Sequence, residues 1–442
     1  MPAVDLRTRA IIARLLGNLG SRSEVEQYLK HYGSIEARKS AVIQVNGEVL
    51  ETSLDDVASS LAFLGEVGLQ PVVVHGARPQ IDAALRERGI VSPTVDGRGV
   101  TTPEVLDVAR RVTLRANNRL LEALERLGVR GRSIAAGVFR AEPGADGRFG
   151  LTGQALSVDL EPVRWALEAG AVPVISALGE TSGGQILSLD PAAASRTLAG
   201  ILRPHKLVFL TEQGGLVGPS GGLMSAVNLA EDYETLLEQE TVSDATKEDL
   251  GALYELLLEL PPESSVSYAA PSQLARELFT HTGAGTLVRL GVRVNSYSRF
   301  DDVDRGALRN LLETCFGKQL DNQYFDKRMV HRIYLSDDYR ATAIVVDLGA
   351  GVPYLDKFAV TATAQGEGVG ASVWRRLRAD QPKLFWRARR DNPVNPWYFR
   401  NAQGTYRGDD WVVFWYGFSD FDAAKDCVDR ALALPATFEE NA

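Results

Sequence analysis

Five short runs near the front of this chain leave few folds open to it. Ala41–Val45, Pro71–His75, Arg132–Phe139, Ala171–Ala177 and Lys206–Thr211 are largely apolar, continuous and β-branched. Runs of that kind are strands covered on both faces. Helical stretches separate them, such as Leu54–Val67, Pro103–Leu127, Pro162–Ala169 and Pro191–Leu202. Strand, helix, strand at this spacing implies an α/β fold with a parallel sheet and helices on both sides. Functional loops of such sheets lie beyond the carboxyl ends of the strands.

The pattern changes after about Arg293. The stretch 294–304 is polar and has no clear period, so it is expected to be a linker. Gly306–Phe316 has a helical pattern. His331–Leu335 and Ala341–Asp347 follow as alternating strands, and Asp337 and Asp338 suit a hairpin turn between them. Tyr354–Val360 is a third strand. A glycine-rich loop then leads into a helix, Ala371–Asp380, followed by strands at Lys383–Arg387 and Trp411–Phe418. Four of the six tryptophans fall in the last 57 residues, which points to an aromatic core there. The expected layout is therefore amino-terminal helices over 1–39, an α/β domain over 40–293, the linker, and a second domain over 305–442.

Composition narrows the functions. A net charge of −9 argues against nonspecific nucleic-acid binding. Two cysteines, Cys315 and Cys427, make neither a disulfide framework nor a zinc cage, so no metal is expected and a reducing cytoplasm fits. No apolar run approaches the roughly 18–20 residues needed to span a bilayer, so no membrane partner is expected. The first 22 residues hold four arginines and one acid, Asp5. That suits either an amphipathic targeting segment or, as preferred here, an ordinary amphipathic helix.

The loop Gln365-Gly366-Glu367-Gly368-Val369-Gly370-Ala371 follows a strand and opens a helix. Glycines allow close backbone approach and a helix amino terminus favours negative charge, so a pyrophosphate fits; taken alone, so does a tight turn. Strand alternation puts Lys357 on one face with Leu355 and Ala359. Arg387 and Arg389 share a face of a later strand. Arg387 follows an apolar Leu-Phe-Trp run, so it is expected to be partly buried and in need of a carboxylate partner.

Tyr354-Leu355-Asp356-Lys357-Phe358, Leu384-Phe385-Trp386-Arg387-Ala388-Arg389, Asn392-Pro393-Val394-Asn395-Pro396-Trp397-Tyr398 and Phe414-Trp415-Tyr416-Gly417 surround this loop. Together they resemble the GNAT N-acetyltransferase fold, in the N-acetylglutamate synthase family of the vertebrate-like and bifunctional synthase/kinase type. The resemblance implies acetyl-CoA as co-substrate and glutamate as acceptor. It implies that Leu355, Lys357, Arg387, Arg389 and Asn392 line the glutamate site. Phe358 and Val360 would present backbone N–H groups to the thioester, and Gln365, Gly366, Gly368, Gly370 and Ala371 would hold coenzyme A. Tyr398 would be the general acid for the departing thiolate.

The preceding domain resembles the amino-acid kinase fold, a three-layer αβα sandwich, in its acetylglutamate kinase branch. The carriers are Val73-Val74-His75-Gly76-Ala77-Arg78-Pro79-Gln80, Leu178-Gly179-Glu180, Gly184-Gln185-Ile186-Leu187 and Glu277-Leu278-Phe279-Thr280-His281-Thr282-Gly283-Ala284-Gly285-Thr286. Active relatives have a first-strand lysine, a glycine, an acid and a second lysine where Gln44, Arg78, Ala192 and Asp249 align here. Arg78 is expected to project where a phosphate would sit. The kinase is therefore read as degenerate, a regulatory and oligomerising module. The resemblance also implies an arginine site near Glu277, Gly283 and Gly285, with Tyr28 and Tyr32 packing there, and a tetrameric homo-oligomer. Two other functions compete: a bifunctional synthase/kinase in which Lys247 takes over a phosphate role, and a non-catalytic arginine-sensing partner.

Overall fold

The structure is a computed structural model that describes residues 40–438 except 67–68, 96–97, 145–146, 262–263, 280–284, 350, 363, 365–367 and 436. The expected amino-terminal helices, with Tyr28 and Tyr32, lie outside the described residues. The chain forms two compact units, 1–290 and 291–442.

In the first unit eight strands form one sheet. Their spatial order is Ala226–Asn228, Thr286–Arg289, Ser265–Ala269, Lys206–Leu210, Ser40–Val45, Gln70–His75, Val172–Ser176 and Gly131–Ile134. All neighbours are parallel except Ser265–Ala269 with Thr286–Arg289. One face packs on Leu54–Glu66 and Pro103–Arg126 through Val57, Leu61, Val108 and Leu120. The other packs on Pro191–Leu202 and Asp244–Glu259 through Leu198, Leu250 and Leu253. This is the expected three-layer sandwich. Thr102 and Asp190 cap two of these helices, accepting from Val105 N and Ala193 N.

Arg132–Phe139 does not form one strand. Gly131–Ile134 joins the large sheet, whereas Phe139–Pro143 enters a small four-stranded closed barrel with Thr152–Val158, Leu178–Glu180 and Ile186–Leu189. Gly137, at φ +89°, makes the break in a conformation that side-chain-bearing residues rarely adopt.

The second unit is a seven-stranded sheet ordered Val294–Tyr297, Val330–Ser336, Ala341–Val346, Tyr354–Val360, Leu384–Arg389, Trp411–Tyr416 and Gly404–Arg407. The expected linker is thus corrected. Val294–Tyr297 pairs antiparallel with Ile333–Ser336 as an edge strand, and Asp304 caps the helix Arg305–Phe316 by accepting from Gly306 N and Ala307 N. One face of the sheet carries Val369–Asp380 and Asn395–Asn401; the other carries Arg305–Phe316 and Phe421–Ala433. Among the described residues no helix is long and apolar enough to cross a membrane.

Candidate active site

The site begins with a strand pair that comes apart. Tyr354–Val360 is laddered to Ala341–Val346 along its length on one edge. On its other edge it pairs in parallel with Leu384–Arg389 only at Tyr354–Phe385 and Leu355–Trp386. Beyond Leu355 the two strands diverge. A parallel pair that splays exposes backbone N–H and C=O groups along the gap, and these need partners.

A bulge then re-aims the side chains. The register passes from Ile344 opposite Lys357 to Val345 opposite Leu355, leaving Asp356 as the extra residue. Lys357 therefore does not share a face with Leu355, as simple alternation suggests. Leu355, Phe358 and Val360 belong to the cluster under Val369–Asp380, while Tyr354 and Ala359 belong to the opposite cluster, where Lys357 meets Tyr324 and Phe438.

Lys357 and Asp356 form a buried pair, with each side chain 4% exposed. Lys357 Nζ donates to Asp356 Oδ2 at 2.8 Å, to the Asp356 carbonyl at 3.2 Å and to Thr437 Oγ1 at 2.7 Å. Tyr324 Oη donates to the same Asp356 Oδ2 at 2.7 Å. Burial pushes the Asp356 carboxyl up, but the charges of Lys357 and Arg328 hold it below the usual carboxylate range. Burial also draws Lys357 below the usual amine range, against the attraction of Asp356.

Arg387, expected to need a carboxylate, is held instead by carbonyls. Its Nη1 donates to Ala431 O at 2.7 Å and its Nη2 to Pro435 O at 3.1 Å. Its guanidinium lies 4.0 Å from the Trp411 ring centre, and that of Arg389 lies at 4.2 Å. Asn392 Oδ1 accepts from Val394 N at 2.9 Å, shaping the turn into Asn395–Asn401 and leaving the side-chain amide to donate.

On the opposite face Tyr398 is buried among Trp386, Trp397 and Phe414, with ring centres 5.6, 5.5 and 5.4 Å away. Burial pushes its phenol well above the usual range. Trp397 stacks on Phe358 at 5.5 Å. The indole N–H groups of Trp374 and Trp386 are buried without hydrogen-bond partners among the described residues, so the aromatic wall holds unspent donors.

Gly368, at φ +81°, opens the helix Val369–Asp380 with no side-chain cap, so the first-turn N–H groups keep their pull on an anion. A Cβ on Gly370 would stand 2.8 Å from Val360 Cγ2, so only glycine lets helix and strand close up here. Ala371 is exposed in the first turn. Gln365 and Gly366 lie outside the described residues. These features fit a thioester in the gap and a pyrophosphate at the helix amino terminus.

Asp356, Tyr324, Arg328 and Trp411 surround these candidate residues, and the sequence did not single them out. Asp356 alone carried a local signal, an acid beside the lysine in a buried strand. The others come from two different elements, Tyr324 and Arg328 from the helix Tyr324–Lys327 and its end, Trp411 from the strand Trp411–Tyr416.

In the first unit, Gln44 is buried and donates to Asn46 Oδ1 at 2.8 Å. Arg78 is exposed, its side chain 74% accessible, and pairs with Asp82 at 3.1 Å. Asp249 pairs with Arg196 at 3.0 Å, and burial raises its carboxyl against that attraction. Ala192 sits in the first turn of Pro191–Leu202. Glu277 is not open to a guanidinium as expected. It is buried 4.0 Å from the ammonium of Lys206, which donates to the Glu277 carbonyl at 2.7 Å. A Cβ on Gly285 would strike the carbonyls of Tyr268 and Gly214, which is a packing reason for that glycine. Gly283 lies outside the described residues. No His, Cys, Asp and Glu cluster that could hold a metal occurs among the described residues.

Residues 292–433 match the family described as NAT, N-acetyltransferase, of N-acetylglutamate synthase, and residues 39–250 match the amino acid kinase family. A protein of Xanthomonas campestris named acetylglutamate kinase is 43% identical over 93% of this chain and 97% of its own length. The human mitochondrial N-acetylglutamate synthase is 33% identical over 91% of this chain and 73% of its own. A solved N-acetylglutamate synthase of Neisseria gonorrhoeae, complexed with coenzyme A and N-acetyl-glutamate, shares the fold, with a TM-score of 0.61 at 21% identity over 89% of this chain and 98% of its own. The chain belongs to the family that joins an amino-acid kinase domain to the N-acetyltransferase domain of N-acetylglutamate synthase.

Proposed function

We propose that the second unit transfers acetyl from acetyl-CoA to the α-amine of glutamate, and that the first unit is a degenerate kinase that regulates it. The observation that carries the first part is the splayed gap between Tyr354–Val360 and Leu384–Arg389. It has the cations Lys357 and Arg387 on one face and the phenol of Tyr398 on the other. Glutamate has two carboxylates for the cations to hold, with Arg389 and the Asn392 amide as further donors. Its amine then meets the thioester carbonyl in the gap, where the strand N–H of Phe358 polarises the oxygen. The N–C bond forms, the C–S bond breaks, Tyr398 gives its proton to the thiolate, and the amine's proton leaves to water.

The degenerate-kinase part rests on charge. Phosphoryl transfer needs cations around the transferred group. Gln44 is neutral, Arg78 is already paired with Asp82, and Asp249 is already paired with Arg196. The name of the Xanthomonas relative favours a second reading, a bifunctional synthase/kinase. We further place the protein in the cytoplasm, as a homo-oligomer regulated by arginine through the first unit. Coenzyme A release from acetyl-CoA plus glutamate, measured beside ADP release from ATP plus N-acetylglutamate, tests these readings together. We expect the first activity without the second. ADP release lost on Lys247→Ala would establish the bifunctional reading, and absence of coenzyme A release would remove the synthase.

A further inference from the structure

The two cations assigned to glutamate are already covered, and by one stretch of chain. Beyond the helix Phe421–Ala433, the described residues Pro435, Thr437 and Phe438 lie against the sheet. Pro435 O takes Arg387 Nη2 at 3.1 Å, and Thr437 Oγ1 takes Lys357 Nζ at 2.7 Å. The Phe438 ring lies 5.2 Å from the same ammonium and 4.8 Å from Phe316. Phe438 also bridges to Leu320, and Asp321 N donates to Thr437 O at 3.3 Å.

An ammonium has three N–H groups. Those of Lys357 go to the Asp356 carbonyl, the Asp356 carboxylate and the Thr437 hydroxyl. Breaking the buried pair with Asp356 would strand a charge in a dry site. The Thr437 hydroxyl is the partner that can be given up. At Arg387, the Ala431 carbonyl belongs to the last turn of a helix, whereas Pro435 lies beyond it. Both replaceable partners are neutral oxygens. A carboxylate makes a charge-assisted bond roughly twice as strong.

We propose that Pro435, Thr437 and Phe438 form a strap that competes with the acceptor for Lys357 and Arg387. Thr437 and Phe438 thereby act as specificity-determining residues that make the site demand two carboxylates. The inference rests on glutamate being the acceptor. A dicarboxylate replaces both strap contacts. An amino acid with one carboxylate replaces one, and the strap stays anchored by the other and by Phe438 against Phe316 and Leu320.

The test uses the full chain at saturating acetyl-CoA, with glutamate and glutamine as acceptors of equal length. Thr437→Val should lower KM for glutamate by about three- to tenfold without lowering kcat, because a neutral hydrogen bond no longer has to be broken. Phe438→Ala should do the same. In both, kcat/KM for glutamine should rise more than for glutamate, narrowing the ratio at least threefold. A higher KM for glutamate, or an unchanged ratio, would overturn the strap. Should both variants fold poorly, hydrogen exchange at the Asp321 amide of the wild type reads the same event. Exchange should quicken with glutamate plus coenzyme A and not with glutamine, and no change with glutamate counts against us. Wild-type turnover of glutamate with unmoved variants sinks the strap alone. No wild-type turnover of glutamate sinks the acceptor assignment.

Discussion

The proposed acetyl transfer takes a proton from Tyr398, and the surroundings of the phenol decide what it can do with it. Burial among Trp386, Trp397 and Phe414 keeps the phenol protonated far past neutral pH, so it can give a proton but cannot take one. Tyr398→Phe should therefore lower kcat by roughly a hundred- to ten-thousand-fold and leave KM for acetyl-CoA nearly unchanged. The wild-type rate should show no decline from tyrosine ionisation up to roughly pH 10. Stopped-flow coenzyme A release across pH measures both, and a wild-type kcat in the variant would remove Tyr398 from the chemistry. Tyr398, Lys357 and Arg387 could be proposed from sequence because distinctive short strings carry them. Their partners are not. Tyr324 and Thr437 lie 32 and 80 residues from the atoms they hold, and nothing local marks either for that contact.

Between residue and fold, the gap depends on how three elements meet. The bulge at Asp356 turns Lys357 to one face and Phe358 to the other, and the short ladder to Leu384–Arg389 leaves the space between them. The helix Val369–Asp380 must then lie close against Val360, which Gly370 permits. In Gly370→Ala the new Cβ should push the helix amino terminus outward. KM for acetyl-CoA should rise by roughly tenfold, since such overpacking costs on the order of 1 kcal/mol or more. KM for glutamate at saturating acetyl-CoA should hold. Equal losses for both substrates would mean that the glycine serves general packing, not the coenzyme A end. Elements with a strong apolar period were readable. Val294–Tyr297 was not, because an edge strand with one neighbour buries little and keeps its polar residues. The barrel strand Thr152–Val158 escaped because, though it has two neighbours, it buries only Gly153 fully. The bulge escaped because a one-residue insertion leaves no mark on composition.

At the scale of the whole chain, the division into two units determines where it can be cut. The sequence suggests removing everything before about Asp301, at the end of an expected linker. The structure moves that boundary to Gly291, because Val294–Tyr297 completes the second sheet and Phe300 packs into its core against Tyr324 and Phe325. A fragment starting at Gly291 keeps both, together with every described side chain assigned to acetyl transfer. It should fold and release coenzyme A with glutamate, though it would lose any response to arginine and change its mass in solution, since both are assigned to the first unit. A fragment starting at Asp301 loses the edge strand and Phe300. It uncovers the backbone groups of Val330–Ser336, an open edge prone to pairing between copies. It should therefore melt at lower temperature or aggregate. Melting curves, solution mass and coenzyme A release for the two fragments, each with and without arginine, check the argument. Equal stability of both fragments would return residues 291–300 to the role of a linker. An arginine response surviving in the Gly291 fragment would move the regulatory site out of the kinase-like unit.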